Sequence, residues 1–295
     1  KDIASKIIKI TAKRQLVKTT PISADYEKYQ KFCSHFPFSE TEDLLNAIDD
    51  IKGDLNSGKL MDRLISGDVG YGKTEVAMRA AYMIVNDENK SGSQVVLVVP
   101  TTILCKQHFE NFKERFSKTK VKIAKLSRLV KPLERNKIKK DIASGKIDIL
   151  IATHSAFADS VNFKNLQLVI LDEEQHFGVQ QKEKLKQIKA DIHVLSMTAT
   201  PIPRTLQMSL VGIKDLSLIT TAPIDRLAVK TNIIPYDEVI IRDALMRERF
   251  RGGQSFYVCP RVQDINIIAN KLKQTVPELK FKVAHGQMLP GVIDN

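Results

Sequence analysis

Five consecutive aliphatic residues, Val95-Val96-Leu97-Val98-Val99, leave no face for water. A strand with one wet face alternates polar and apolar residues. An unbroken apolar run instead implies cover on both faces, as for parallel strands sandwiched by helices. Leu168-Val169-Ile170-Leu171 repeats the pattern, and helix-length segments lie between such runs. The chain therefore predicts a doubly wound α/β lobe with a parallel sheet.

The expected elements follow from period and punctuation. Ile3, Ile7, Ile8 and Leu16 predict an amphipathic helix over 2–16, and Pro21 marks a linker over 19–24. A helix is expected over 43–55 with Thr41 as N-cap. Strands are expected at 64–66, 94–99, 121–126, 147–152, 168–171 and 193–197, and helices at 75–85, 102–116 and 133–143. Beyond 220–228, strands at 231–234, 255–259 and 281–284 and helices at 238–250 and 265–274 predict the start of a second α/β lobe. The expected boundaries are a connector over 1–30, a first lobe over 31–222 and a partial second lobe over 223–295.

At 295 residues the chain is long enough for two domains. Its 43% hydrophobic and 27% charged residues are ordinary for a soluble protein, and no apolar run reaches membrane-spanning length. The formal charge of +12 suits a polyanionic partner such as nucleic acid. Cys33, Cys105 and Cys259 are scattered, without CxxC or zinc-ligand spacing, so reduced thiols, a cytoplasmic setting and no structural metal are expected. Opening at Lys1 fits a piece of a longer protein.

Gly67-Asp68-Val69-Gly70-Tyr71-Gly72-Lys73-Thr74 fits GxxxxGK[ST] between an expected strand and helix. In such a loop glycines let backbone N–H groups turn toward phosphate oxygens. Lys73 reaches the β/γ-phosphates, and the Thr74 hydroxyl binds Mg²⁺. Asp172-Glu173-Glu174-Gln175 closes an expected parallel strand, at the end that faces a ligand crevice. Asp172 is expected to hold the metal and Glu173 to orient or deprotonate the attacking water. Thr198, Ala199 and Thr200 end another apolar strand and offer hydrogen bonds between a nucleotide site and a neighbouring surface.

Together these strings resemble the helicase motifs of superfamily 2: the P-loop as motif I, Asp172–Gln175 as motif II and Thr198–Thr200 as motif III. Thr101 and Thr102 match motif Ia, and Thr153 and His154 fall at motif Ib; both motifs contact DNA in that superfamily. The segments at 61–81, 100–116, 172–179, 198–206, 212–219 and 285–288 are similar to the translocase module of the transcription-repair coupling factor family, and less closely to RecG-type branched-DNA helicases. The resemblance implies a RecA-like ATPase lobe followed by part of a second. It also implies ATP and Mg²⁺ as cofactors, double-stranded DNA as track, and RNA polymerase and excision-repair proteins as partners of the parent, with no membrane. It places the nucleotide base near Phe38, Thr41 and Leu44, where leucine replaces the family's usual glutamine. Ala152 stands for a usual glycine and His176 for a usual arginine. Motifs V and VI, the latter supplying arginine fingers, would follow His285–Met288. The basic stretch 113–146, Arg128 included, lies between motifs Ia and Ib and is a candidate to follow a DNA backbone. His108, His154 and Cys105 read as structural rather than catalytic. A RecG-type activity and a nucleotide-dependent binding module without turnover remain alternative readings.

Overall fold

A computed structural model of the chain describes residues 17–158, 160–177, 191–199, 214–224, 226 and 229–288. The helix expected over 2–16 lies outside them. The chain divides into two compact units, Lys1–Arg226 and Leu227–Asn295.

The first unit contains α1 (Tyr26–Cys33), α2 (Glu42–Asn56), β1 (Asp62–Gly67), α3 (Lys73–Val85), β2 (Gln94–Val98), α4 (Thr102–Arg115) and β3 (Ile123–Leu126). It continues with α5 (Pro132–Ala143), β4 (Ile149–Ala152), β5 (Leu166–Asp172), β6 (His193–Thr198) and β7 (Asp215–Ile219). The seven strands form one sheet in the order β3-β4-β2-β5-β6-β1-β7, and every pairing is parallel. In β2, Val95 and Leu97 join one apolar cluster with α2 and α3, while Val96 and Val98 join another with Ile138 and Ile142 of α5. Successive strand residues point to opposite faces, so the unbroken run fills both sides of the sheet. Each fully buried Val or Leu contributes about 1.5–3 kcal/mol.

The helices start where capping chemistry permits. Thr41 caps α2, its Oγ1 accepting from Leu44 N at 3.3 Å. Leu44, Ala47, Ile48, Ile51 and Leu55 then bury one face of that helix. Helix α3 is buried without a break from Glu75 to Ile84, as befits the central helix under a sheet. The linker expected over 19–24 is pinned to the lobe: Ala24 bridges Asp87, Ile22 is buried, and just before it Lys18 bridges Lys59.

Two elements, α1 and β7, were not expected from periodicity. The second unit differs more. Helices α6 (Glu238–Phe250) and α7 (Ile265–Thr275) form as expected. The segments 231–234, 255–259 and 281–284 are apolar enough for strands but carry no ladder hydrogen bonds. A strand exists only through its ladder, and these segments belong to no ladder among the described residues. No helix among the described residues is long and apolar enough to cross a membrane.

Candidate nucleotide site

Strand β1 leads straight into the glycine-rich loop, and α3 begins at Lys73. Gly70 (φ +83°) and Gly72 (φ +95°) occupy the left-handed region. A Cβ on Gly72 would also lie 3.0 Å from Leu44 Cδ1, so glycine is required there twice over. The start of α3 presents backbone N–H groups suited to an anion. Lys73 Nζ curls back to donate to the carbonyls of Gly67 (2.6 Å) and Asp68 (2.9 Å). Burial pushes the Lys73 ammonium below its ordinary pKa, while Asp172, Glu173 and Asp68 work against that shift.

Parallel register brings the second string alongside. Asp172 of β5 pairs with Met197 of β6, which pairs with Ile65 of β1, so motif II and the P-loop leave the same edge of the sheet. Glu173 has φ 52° and ψ 50°, and it is the one non-glycine with positive φ among the described residues. Such a conformation costs about 1–3 kcal/mol and persists only when neighbours fix it. Here they do. Glu173 N donates to Met197 O at 3.0 Å, Ala199 N donates to Glu173 Oε1 at 3.0 Å, and Thr198 Oγ1 donates to Oε2 at 3.4 Å. Gln175 Nε2 donates to the same carboxylate. Glu174 turns the other way and accepts from Ser196 Oγ (3.1 Å) and Lys214 Nζ (3.4 Å). Burial opposes the Lys214 charge, yet Glu174 and Asp62 together raise its pKa.

His108 of α4 sits against Asp172, its Nε2 donating to Oδ2 at 2.8 Å with both side chains largely buried. Its Nδ1 is buried without a hydrogen-bond partner. His108, read as structural rather than catalytic, makes this contact across 64 residues of sequence.

A cleft of about 1210 Å³ joins these groups: Phe38, Thr41, Leu44, the loop from Val69 to Thr74, His108, Asp172, Glu173, Ala199 and Arg226 all line it. Phe38 is 62% exposed, packed edge-on to Phe36 and open to stack on a planar group. Leu44 borders the cleft but is 3% exposed, packed beneath Gly72. Thr74 and Asp172 face the same cleft as a hydroxyl and a carboxylate, an oxygen donor set that fits Mg²⁺.

The family described as DEAD/DEAH box helicase matches residues 41–209, more than half of the chain and all three strings of the site. The chain belongs to this helicase family. The transcription-repair-coupling factor of Rickettsia prowazekii (strain Madrid E) is 58% identical over 294 residues, covering 100% of this chain and 26% of that protein. That of Escherichia coli (strain K12) is 45% identical over 288 residues, covering 98% of this chain and 25% of that one. The chain thus spans about a quarter of the length of these curated relatives. The solved structure of RecG bound to a three-way DNA junction aligns with a TM-score of 0.75 and 33% identity, over 92% of this chain and 36% of that one.

In this helicase chain the residues expected to meet DNA divide by exposure. Thr101 is exposed and caps α4, accepting from Leu104 N at 3.2 Å. Thr102 is half-buried, and His154 and Arg128 are exposed. Thr153 is turned inward, 4% exposed with its hydroxyl paired to Ser155 Oγ at 3.2 Å. Thr200 lies outside the described residues. Besides His108, sequence reasoning assigned no role to Lys214, which lies in the 212–219 segment, or to Arg226, and only the fold brings them to the site.

Proposed function

We propose that this chain is the ATP-hydrolysing core of a double-stranded DNA translocase of the transcription-repair coupling type, whose parent displaces stalled RNA polymerase and recruits excision repair. The observation that carries this reading is the convergence of Lys73, Asp172 and Glu173 at one sheet edge, with Glu173 tied to Ala199 and Thr198. Gly67 to Thr74 cradle the phosphates, and Lys73 leaves its two carbonyl partners to meet them. Thr74 and Asp172 would hold Mg²⁺, which would neutralise charge on the phosphate oxygens. His108 fixes the rotation of the Asp172 carboxylate. Glu173 orients the attacking water and takes its proton. Because Ala199 and Thr198 grip that same carboxylate, movement of motif III alters the base, and this couples hydrolysis to DNA held near Thr101, Thr102, His154 and Arg128. Identity of 58% to a coupling factor, against 33% to RecG, favours the coupling reading over branched-DNA remodelling.

The test uses a protein that continues past Asn295 to the length of the relatives. Duplex DNA should stimulate its ATPase, and the protein should displace a DNA triplex strand and release a stalled polymerase. Preference for forked DNA without polymerase release would transfer the assignment to the RecG type. The 295-residue chain alone is expected to bind Mg-nucleotide but turn it over slowly. An arginine finger is worth about 10³–10⁵ in rate, and the resemblance places that group beyond His285–Met288. Equal DNA-stimulated rates in the two proteins would refute this dependence.

A further inference from the structure

Arg226 closes the first unit and lies over the phosphate loop, 158 residues from Asp68 in sequence. Its side chain is held in two ways and its backbone in a third. The guanidinium stacks on the Tyr71 ring at 4.7 Å, Nη2 donates to Asp68 Oδ2 at 3.2 Å, and the backbone N–H of Arg226 donates to Pro223 O at 3.0 Å. The stretch before it is clamped as well. Asp43 of α2 accepts from the backbone N–H and hydroxyl groups of both Thr220 and Thr221, at 2.8–2.9 Å. The segment that carries Arg226 is therefore tied to the same helix that supports the P-loop from below.

One donor is unspent. Arg226 Nη1 is buried and has no hydrogen-bond partner. It lies 4.0 Å from where a Cβ on Gly70 would stand, beside the loop whose N–H groups face phosphate. A buried unpaired donor is costly, and a charged one more so, which marks a place where an acceptor belongs. The acceptor it already has is weakly bound. The Arg226 and Asp68 side chains are 30% and 60% exposed, and such surface pairs contribute little. A guanidinium presents a rigid fork matched to phosphate oxygens, and Tyr71 fixes its plane.

We propose that Arg226 is a phosphate-binding residue of the nucleotide site: it exchanges the Asp68 carboxylate for oxygens of the polyphosphate chain and adds a second cation opposite Lys73. The inference rests on the phosphate-site reading above and extends it to a residue outside the motifs. Tyr71 acquires a role too, as the platform that holds the fork flat while its partner changes.

The test is calorimetric titration of the 295-residue chain with inorganic tripolyphosphate, which has no base or sugar, beside a non-hydrolysable ATP analogue. Thermal melts check that each variant is folded. Arg226→Ala should weaken both ligands by about 10–100-fold, the range of charge-assisted hydrogen bonds. Arg226→Lys should recover part of the loss, since it restores charge without the fork. Asp68→Ala should tighten tripolyphosphate by up to about fivefold in the parent, and this gain should vanish in an Arg226→Ala background. Loss of analogue binding with unchanged tripolyphosphate affinity would place Arg226 on the base or sugar and overturn the proposal. So would unchanged affinity for both ligands in Arg226→Ala while Lys73→Ala abolishes them, or a gain from Asp68→Ala that persists without Arg226. Unchanged affinity in Lys73→Ala as well would instead bring down the phosphate-site reading on which the proposal stands.

Discussion

Glu173 is the most constrained residue of the site, with a left-handed backbone and a carboxylate gripped by Ala199, Thr198 and Gln175. Glu173→Gln keeps shape and acceptor while removing the base. Affinity for Mg-nucleotide should hold, while turnover in a complete motor falls by at least about 10²–10⁴-fold. Binding by titration and turnover by phosphate release separate the two, and wild-type turnover would remove Glu173 from the mechanism. His108 acts one shell further out. Replacing it with alanine should raise the Mg²⁺ concentration needed for nucleotide binding by about 10–100-fold, the usual cost of losing the partner of a metal-binding carboxylate. Asparagine, which still donates, should restore part of it. An unaltered Mg²⁺ requirement would make the contact merely structural. These residues differ in how legible they were. Lys73 and Glu173 sit in contiguous strings whose residue types and flanking strand name their chemistry. His108 is 64 residues from its partner Asp172, and Arg226 is 158 residues from Asp68, so only the folded sheet brings either pair together.

Elements buried on both faces were the readable ones. Strands β2 and β5 carry the unbroken apolar runs Val95–Val99 and Leu168–Leu171, and α2 carries its cap and its buried stripe openly in sequence. Strand β7 escaped because it lies at the sheet edge, where Asp215 and Leu218 are exposed and the pattern is neither continuous nor cleanly alternating. Its place depends on polar tertiary contacts: Arg63 of β1 donates to Ser217 Oγ at 2.9 Å and also pairs with Asp50 and Asp54 of α2. Just beyond β7, the four hydrogen bonds from Thr220 and Thr221 pull the Asp43 carboxyl down to about pH 2. A depressed carboxylate contributes stability above its unfolded pKa of about 3.9 and loses it as pH falls through the folded value. The clamp should thus weaken between about pH 4 and pH 2. Asp43→Asn should melt below the parent at neutral pH, with the gap closing across that window, and a constant gap would show that the charge does not matter. Deeper inside, Glu75 accepts from both Arg79 (2.8 Å) and Arg115 (2.7 Å), all three side chains being at most 8% exposed. Glu75→Ala leaves Arg115 without a carboxylate and Arg79 with Glu40 alone, and should cost about 3–5 kcal/mol in chemical denaturation.

At the scale of the whole chain, the two units differ in what holds them. The first has a seven-stranded sheet with apolar clusters on both faces. In the second, neither α6 nor α7 has a buried residue, and Val276 is the one core hydrophobic among the described residues past 229. Its three strand-like segments show apolar side chains to solvent, with Ile233 98%, Phe256 93% and Val258 84% exposed. Local stability follows buried contacts and protected backbone hydrogen bonds. Amide hydrogens over 229–288 should therefore exchange early under native conditions, while those of β1, β2 and β5 persist until global unfolding. The sequence signalled strands here because apolar, β-branched runs report the capacity to pair, whereas a ladder also requires a partner. In a protein that continues past Asn295, protection of 231–234, 255–259 and 281–284 should rise as a group if further strands complete a sheet. Hydrogen exchange read by mass spectrometry on the two lengths makes the comparison. Equal protection of both units in the 295-residue chain would show that the second holds a core of its own, and that its exposed apolar segments are its settled state.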